Sequence, residues 1–328
     1  MKLTHIYSCL TLLVTSCVGF SASAEMDAHD WLEQVPLAVQ MTNFEGTFIY
    51  QRGQQTDVMH ITHSSDKNGE RERLFSLSGP KREVIRNNKM VTCVLGDKQS
   101  VILNRSRPRD PFPVSFPGDL AQIEKNYHFE LTGEARIAGL KCQRILIRPL
   151  DNYRYGRVLC AEKDTYMLLQ TELIDDRGNV IESIMYTDIS FPDSIDDKKL
   201  RPVYQDASFQ WVREKDLSFH RDKKHGVMPS GHWNFQNLPP GFMQTSHFWH
   251  DLTEDNPGVE HWVFSDGLAS VSLYIEKAAP GDEKYAGISR RGALNAFGTM
   301  VNNYHVTALG EVPLKTLETF GKSVRYQP

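Results

Sequence analysis

The fold of the C-terminal part of the chain is decided by the stretch Val263-Phe-Ser-Asp-Gly-Leu-Ala-Ser-Val-Ser-Leu-Tyr-Ile-Glu276. Asp266-Gly267 stands between two runs in which apolar and polar residues alternate. This pattern favours a β-hairpin with a two-residue turn, because a type I′ turn needs positive φ at both central positions and Asp-Gly tolerates it. Pairing outward from the turn predicts two facing pairs on one apolar side, Trp262 with Val271 and Phe264 with Ala269.

Neither this hairpin nor the rest of the chain carries a recognisable set of catalytic residues. No nucleophile elbow, zinc-protease motif or phosphate-binding loop occurs. The histidines His60 and His63, like His247 and His250, are three positions apart in predicted strands, so the side chains of each pair point to opposite faces. The sequence therefore predicts a binding protein that is not an enzyme and that needs no cofactor and no metal.

The first 24 residues are typical of a secretory signal peptide. Lys2 is the only charged residue before Glu25, an apolar run covers residues 6–20, and Ala22-Ser-Ala24 forms a cleavage site. The run is short for a membrane span. Cleavage before a lipid-modified Cys17 remains the alternative. Export and a formal net charge of −4 both argue against nucleic acid as a partner.

Cysteines outside the signal peptide occur at Cys93, Cys142 and Cys160. Cys142 and Cys160 lie symmetrically about a predicted hairpin turn near Asp151-Asn152, so they are expected to face each other across the ladder at a distance short enough for a disulfide. This bridge leaves Cys93 outside it. A bridge between Cys93 and Cys142 is the alternative, because a bulge can shift the register.

The pattern along the chain predicts a helix followed by an antiparallel sheet. Residues 27–41 repeat Trp31, Val35 and Val39 at helical spacing, and residues 44–191 alternate short β-type runs with turn residues. The proline-rich residues 107–118 cannot form a central strand. A further strand is expected within residues 207–217, and Asp222-Lys-Lys-His-Gly226 is the best candidate for a linker.

A chain of this length usually needs more than one core. We expect a signal peptide over 1–24, a large domain over 25–218, a linker over 219–230 and a small domain over 231–328. In the small domain, residues 287–300 are predicted as one strand that turns at Asn302-Asn303 into the next. Pro313 is expected to open a final helix.

Two features are candidate binding sites. The first is an apolar face on the first strand, formed by Phe44, Phe48 and Tyr50. If the large sheet curls, this face lines a cavity for acyl chains; the alternative is a filled core against the N-terminal helix. The second is a basic cluster, which could bind an anionic headgroup or an acidic partner segment. Its members are Arg71, Arg73, Lys81, Arg82 and Arg86, of which Arg73, Arg82 and Arg86 are the preferred candidates. Neighbouring Glu70, Glu72 and Glu83 favour an ordinary solvated surface.

Five stretches carry a resemblance to a known family. They are Asn43-Phe-Glu-Gly-Thr-Phe-Ile-Tyr50, Gly79-Pro-Lys-Arg-Glu-Val-Ile-Arg86, Tyr153-Arg-Tyr-Gly156, Ser265-Asp-Gly-Leu-Ala-Ser-Val-Ser272 and Val306-Thr-Ala-Leu-Gly-Glu-Val-Pro313. In this order they resemble the MucB/RseB family along nearly the whole chain after the signal peptide. The chain departs from the family in having Cys160 where an aromatic residue is expected and Phe44 in place of a commoner tyrosine, so the disulfide is not implied by the resemblance.

The resemblance implies a fold and a function. The fold is α+β and mostly β, with a half-open antiparallel barrel like that of the lipoprotein carriers LolA and LolB and a smaller C-terminal α/β domain. Family members are periplasmic regulators of the envelope-stress sigma factor. They bind the periplasmic part of a membrane-spanning anti-sigma factor of the RseA/MucA type and shield it from proteolysis. Lipid or lipopolysaccharide is thought to release them, and they tend to form homo-oligomers.

The half-barrel alone would also serve a periplasmic carrier of lipids or lipoproteins. A simple carrier does not need the second domain, so the presence of that domain favours the regulator.

Overall fold

The computed structural model describes residues 26–88, 90–95, 100–105, 119–202, 210–213, 232–250, 258–278 and 286–327. The predicted signal peptide with Cys17, the proline-rich residues 107–118 and the predicted linker 219–230 lie outside these ranges. In the part of the chain that is described, no helix combines the length and apolar character that crossing a membrane requires.

The described residues form a mostly β structure with few helices. The helices are α1 (Ala28–Met41), α2 (Leu120–Ile123) and α3 (Leu314–Ser323), with a 3-10 turn at Asp197–Leu200. The strands are β1 (Phe44–Arg52), β2 (Gln55–Asp66), β3 (Gly69–Ser76), β4 (Arg82–Asn87), β5 (Met90–Leu95), β6 (Ser100–Arg105), β7 (Tyr127–Ile137), β8 (Leu140–Pro149), β9 (Gly156–Glu162), β10 (Leu168–Ile174), β11 (Val180–Ser190), β12 (Gln210–Arg213), β13 (Trp233–Phe235), β14 (Met243–His250), β15 (Val259–Ser265), β16 (Ser270–Lys277), β17 (Gly287–Arg291), β18 (Leu294–Val301), β19 (Tyr304–Gly310) and β20 (Val324–Tyr326).

The large sheet consists of two antiparallel meanders joined side by side. Its order is β12-β6-β5-β4-β3-β2-β1-β11-β10-β9-β8-β7, so β1 of the first meander pairs with β11 of the second. Strand β12 is added to β6 in parallel, within the range where a last strand was expected. The sheet bends until β7 comes within 8 Å of β11 between Cα atoms, but among the described strands β7 and β12 are unpaired edges, so the barrel is half open.

Helix α1 fills the inner, concave side of this bend. Asp27 is its N-cap: the carboxylate accepts the backbone N–H groups of His29 and Asp30, and Asp30 accepts the N–H of Asp27 in return. The predicted apolar stripe is buried and packs with inner side chains of both meanders. The residues of this core that are at most 2% exposed are Leu32, Val35, Phe44, Phe48, Ile61, Ile123, Tyr127, Ile145, Ile147, Leu159, Ala161, Met167, Leu168 and Tyr186.

A disulfide joins Cys142 of β8 to Cys160 of β9, with the two Cα atoms 5.3 Å apart. The two residues are diagonal neighbours, because Cys142 faces Glu162 and Cys160 faces Arg144. The expected direct opposition is therefore wrong by two positions. The β8–β9 hairpin is therefore centred one residue beyond Asp151. In its turn, the Asp151 carboxylate accepts the backbone N–H of Tyr153 at 2.9 Å. Cys93 lies in β5, away from this bridge.

The C-terminal unit is a six-stranded sheet of order β14-β15-β16-β19-β18-β17, with α3 packed on one face and the pair β13–β20 beside it. Pro313 is the N-cap of α3, and Leu317 and Phe320 are buried against the sheet. The prediction of one strand over 287–300 is wrong. The chain reverses at Gly292, whose φ of +64° suits glycine, and forms the hairpin β17–β18.

The hairpin β15–β16 exists, but its predicted register is wrong. Phe264 faces Val271 and Ser265 faces Ser270, so the connection is a four-residue loop. Gly267 has positive φ, whereas Asp266 does not, and a type I′ turn is excluded. Because the shift is two residues, the expected apolar face survives: Trp262, Phe264, Val271, Leu273 and Ile275 are all buried.

Candidate functional site at the junction of the two units

The N-terminal unit (residues 26–202 with β12) and the C-terminal unit (residues 232–327) meet at the tip of the β8–β9 hairpin. We call the contacts between them the junction. Asp266 is its central acceptor. One carboxylate oxygen, Oδ1, accepts the backbone N–H groups of Leu268 at 2.9 Å and Ala269 at 2.7 Å, which closes the β15–β16 loop. The other oxygen, Oδ2, is thereby held toward the N-terminal unit.

Arg154, at the tip of the β8–β9 hairpin, supplies the opposite charge. Its Nε donates to Asp266 Oδ2, its Nη1 to Asp151 Oδ2 and its Nη2 to the main-chain oxygen of Pro240. The side chains of Arg154 and Asp266 are both 0% exposed. Tyr127, on β7, adds its hydroxyl as a donor to Asp266 Oδ2 at 3.0 Å. We call Arg154 and Asp266 the junction ion pair.

The surroundings keep Arg154 charged. Burial by itself lowers the pKa of Arg154, but the hydrogen bond and the negative charge of Asp266, together with Asp151, outweigh it and leave the pKa raised. Burial, and then the charge of Asp266, raises the pKa of the Tyr127 hydroxyl. The guanidinium carbon of Arg154 also lies 4.7 Å from the centre of the Phe242 ring, a cation–π distance.

The neighbours of Arg154 in the hairpin tip also contact the C-terminal unit. Thr316 Oγ1 donates to the main-chain oxygen of Tyr153 at 2.7 Å, and Lys315 Nζ donates to Asn152 at 2.8 Å. On the other side, Asn295 Nδ2 donates to the hydroxyl of Tyr155 at 3.1 Å. The tip is therefore held from α3, from β18 and from the β15–β16 loop at once.

A second part of the junction is built on Glu182 of β11. Its Oε1 accepts the backbone N–H of Ala293 at 2.9 Å, at the β17–β18 turn. Its Oε2 accepts the hydroxyl of Tyr50 at 2.9 Å. Burial, followed by the negative charge of Glu182, raises the pKa of Tyr50. A side chain at Gly292 would collide with Arg52, so the two units approach closely here.

The three residues predicted to line a cavity separate into two environments. Phe44 and Phe48 are 0% and 1% exposed and belong to the core that includes α1. Phe48 meets the ring of Tyr186 edge to face at 5.6 Å. Tyr50, on the same strand and face, is only partly buried; it packs against this core and reaches the junction through Glu182.

The predicted basic cluster is divided between the two faces of the large sheet. Arg86 faces Glu72 across the β3–β4 ladder, so it shares the inner face with Glu72, while Arg73 points to the outer face. Arg73 donates to the buried carboxylate of Glu83, and Arg86 lies 3.9 Å from Glu70. Arg82 is exposed at the start of β4. Arg71, on the outer face, contacts Asp66 at 2.7 Å and Asp197 at 2.6 Å.

Several polar side chains lie together on the inner face of the large sheet, beside the apolar core. The side chain of His63 is 2% exposed and lies 3.5 Å from Glu70. Glu72 is also buried, and this burial raises the pKa of its carboxyl group despite the nearby charge of Arg86. The hydroxyl of Tyr186 has no hydrogen-bond partner among the described residues. The inner face is thus not purely apolar.

The arrangement at the junction can bind and hold but offers no evident chemistry. No cluster of His, Cys, Asp and Glu in the described residues could hold a metal ion. Sequence reasoning missed Arg154, Asp266, Tyr127 and Glu182. The sequence indicated these residues only in part. The stretches 153–156 and 265–272 carried the family resemblance, but their pattern predicted turns and no contact between them.

Comparison with known proteins identifies the two units. The family model for the MucB/RseB N-terminal domain matches residues 27–204, and the model for the MucB/RseB C-terminal domain matches residues 228–325. The sigma factor AlgU regulatory protein MucB of Pseudomonas aeruginosa is 29% identical over 325 residues, covering 96% of each chain. The sigma-E factor regulatory protein RseB of Escherichia coli is 24% identical over 317 residues, with the same coverage.

Solved structures agree over most of the chain. The complex of Pseudomonas aeruginosa MucA and MucB matches with a TM-score of 0.71 at 27% identity, covering 92% of this chain and 99% of that one. MucB in complex with MucA(peri) gives 0.70 with 92% and 100% coverage, and MucB without a named partner gives 0.61 with 92% and 98%, both at 27% identity. The chain therefore belongs to the MucB/RseB family of sigma-factor regulatory proteins.

Proposed function

We propose that this protein binds the periplasmic segment of a membrane-spanning anti-sigma factor and shields it from regulated proteolysis. The observation that carries the proposal is the likeness, over 92% of the chain, to MucB in complex with the periplasmic part of MucA. The absence of a recognisable catalytic set in the sequence is consistent with a protein that acts by occupying a surface and not by turning over a substrate.

The periplasm is the proposed location, and the mature chain is proposed to begin at Glu25. We propose domain boundaries at 25–218 and 231–328 with a linker over 219–230. The separate family models, which end at residue 204 and resume at 228, support this division. The junction supports a single two-domain surface, because the β8–β9 tip is held by several elements of the C-terminal domain.

The test uses the mature chain with an anti-sigma periplasmic segment and the protease that starts its cleavage. The protein at a concentration well above that of the segment should slow cleavage in proportion to the fraction bound, measured by gel and by titration calorimetry. A fragment of residues 25–218 is a matched comparison for the contribution of the second domain. Equal cleavage rates with and without the full mature chain would reject the proposal.

Release by a lipid-type ligand is the finer part of the proposal. A ligand shifts binding only if it favours the released state. Phe44 and Phe48 are packed against the helix-covered core, so acyl chains would reach them only after α1 moves away. Addition of lipopolysaccharide should then lower the measured affinity for the anti-sigma segment, whereas addition of the same buffer without lipopolysaccharide should not. An affinity that does not change at saturating lipopolysaccharide would reject release by this ligand, leaving shielding itself untouched.

A further inference from the structure

The junction joins the two domains through charges that are removed from water. Arg154 donates to acceptors on both domains, to Asp151 within its own hairpin and to Asp266 and Pro240 across the junction. Asp266 accepts from both domains as well, from Arg154 and Tyr127 on one side and from its own loop on the other. Neither side chain of the ion pair is exposed.

Such an arrangement favours two states, docked or fully separated, over intermediate ones. A small displacement would break the hydrogen bonds between the guanidinium and the Asp266 carboxylate while both groups remain out of water, which is strongly unfavourable. Full separation returns both groups to water and removes that cost. Buried ion pairs are accordingly better attested as devices that fix register than as sources of stability.

The solved structures of the relative provide an independent observation. Each of the three matches covers 92% of this chain at 27% identity, yet the TM-score is 0.61 for MucB without a named partner and 0.71 and 0.70 for the two complexes. These structures therefore differ from one another in their similarity to this chain. The structure of this chain as a whole matches the two complexes more closely.

We propose that the Arg154–Asp266 ion pair is a conformational switch element that holds the two domains in the one arrangement able to bind the partner segment. This inference rests on the proposed function, since it concerns how the same protein presents its binding surface. Partner binding and docking of the domains are then coupled, and by linkage each must favour the other.

The test variant is Asp266→Asn. The amide oxygen can still accept the N–H groups of Leu268 and Ala269, so the loop is preserved, but the amide N–H₂ replaces the acceptor that faces Arg154. Asp196→Asn is the matched control, because the Asp196 carboxylate accepts the N–H group of Lys198 in an exposed 3-10 turn that packs beside β3. A milder junction variant, Thr316→Val, removes the donor to Tyr153 without altering a charge.

The measurements are the radius of gyration by small-angle scattering and the affinity for the anti-sigma periplasmic segment by titration calorimetry, with circular dichroism as the check on folding. Asp266→Asn should expand the protein and weaken binding at least tenfold, about 1.4 kcal/mol, and saturating segment should restore the compact form. Thr316→Val should act in the same direction but less, and Asp196→Asn should match the parent protein. If Asp266→Asn does not fold, Arg154→Lys takes its place, because the ammonium keeps the positive charge but cannot reproduce the three donations to Asp266, Asp151 and Pro240.

Two results would overturn the proposal: folded junction variants with the parent's scattering, or expanded variants with the parent's affinity. Failure of the parent protein itself to bind the segment would reject the proposed function instead. The scattering comparison would still decide, in that case, whether the ion pair holds the domains together.

Discussion

Arg154 at the junction and Arg71 on the outer face of the large sheet are both arginines that contact two carboxylates, but they differ in what surrounds them. Arg71 pairs with Asp66 and Asp197, whose side chains are 37% and 65% exposed. Arg154 pairs with Asp266, which is 0% exposed and belongs to the other domain. The carboxylates that pair with Arg71 remain accessible to water, whereas the carboxylate of Asp266 that pairs with Arg154 is shielded from it.

The comparison shows that charge density along the sequence is a poor guide to function here. The basic cluster around β3 and β4 drew attention because its arginines are close in sequence, yet the alternation of strand residues divides them between two faces. Arg154 is the one basic residue between Tyr153 and Tyr155, and it forms the buried ion pair between the domains. The property that distinguishes Arg154 is that it pairs, out of contact with water, with a carboxylate from a distant part of the chain.

The largest effect is expected for Arg154→Ala. This substitution leaves Asp266 buried without its cationic partner, and breaking a buried pair in this way costs about 3–5 kcal/mol. The free energy of unfolding, measured in urea, should fall by about that amount, unless the domains separate and allow Asp266 to hydrate. Scattering on the same sample distinguishes the two outcomes.

Arg148→Ala is the control for this prediction. Arg148 lies on β8, in the same hairpin, and its contact with Glu130 at 3.5 Å is exposed on both sides. We expect its removal to cost less than about 1 kcal/mol. Equal losses for the two variants would show that the junction ion pair has no special weight.

Much of the fold could be predicted from local pattern. The helical repeat of Trp31, Val35 and Val39 predicted α1, and strand-length runs between turn residues predicted the meander that β1 to β11 form. The symmetry of Cys142 and Cys160 about one turn led to the pair that is bridged. These features depend on residues close in sequence, where period and turn chemistry decide the structure.

The register of both important hairpins and the junction could not be predicted in this way. In each hairpin an aspartate side chain closes the turn with backbone N–H groups, Asp151 in one and Asp266 in the other, and the ladder is displaced from the expected centre. The contact of Arg154 with Asp266 spans 112 positions. It arises only when two separate sheets dock, and no periodicity in a single sequence records that event.

A smaller, pH-dependent effect is expected at Glu72, the neighbour of Arg71 that points to the inner face. Burial raises its pKa above the usual 4.5. A carboxyl group with a raised folded pKa contributes stability that is fully present below the unfolded pKa and is lost as the pH rises through the folded pKa. Glu72→Gln stays neutral at every pH, so its stability relative to the parent protein should increase from about pH 5 to about pH 8.

Unfolding in urea at the two pH values measures this difference, and Glu130→Gln is the control because Glu130 is exposed on β7. The control variant should show the same difference from the parent at both pH values. A Glu72→Gln variant that loses stability relative to the parent as the pH rises would contradict the assignment of Glu72 as a buried carboxyl group held toward its neutral form.

The smallest effect is expected for Arg71→Ala, which completes the contrast with Arg154. Its contacts with Asp66 and Asp197 are short, at 2.7 Å and 2.6 Å, but both carboxylates are accessible to water and can hydrate again when the arginine is removed. The loss in unfolding free energy should therefore be about 1 kcal/mol or less.

The loss for Arg71→Ala should become smaller between about 0.1 M and about 1 M salt, because ions screen exposed charges. The loss for Arg154→Ala should respond much less to salt, since its partner is removed from solvent. If Arg71→Ala proved as costly and as insensitive to salt as Arg154→Ala, exposure of the partner carboxylate would not be the property that separates the two sites.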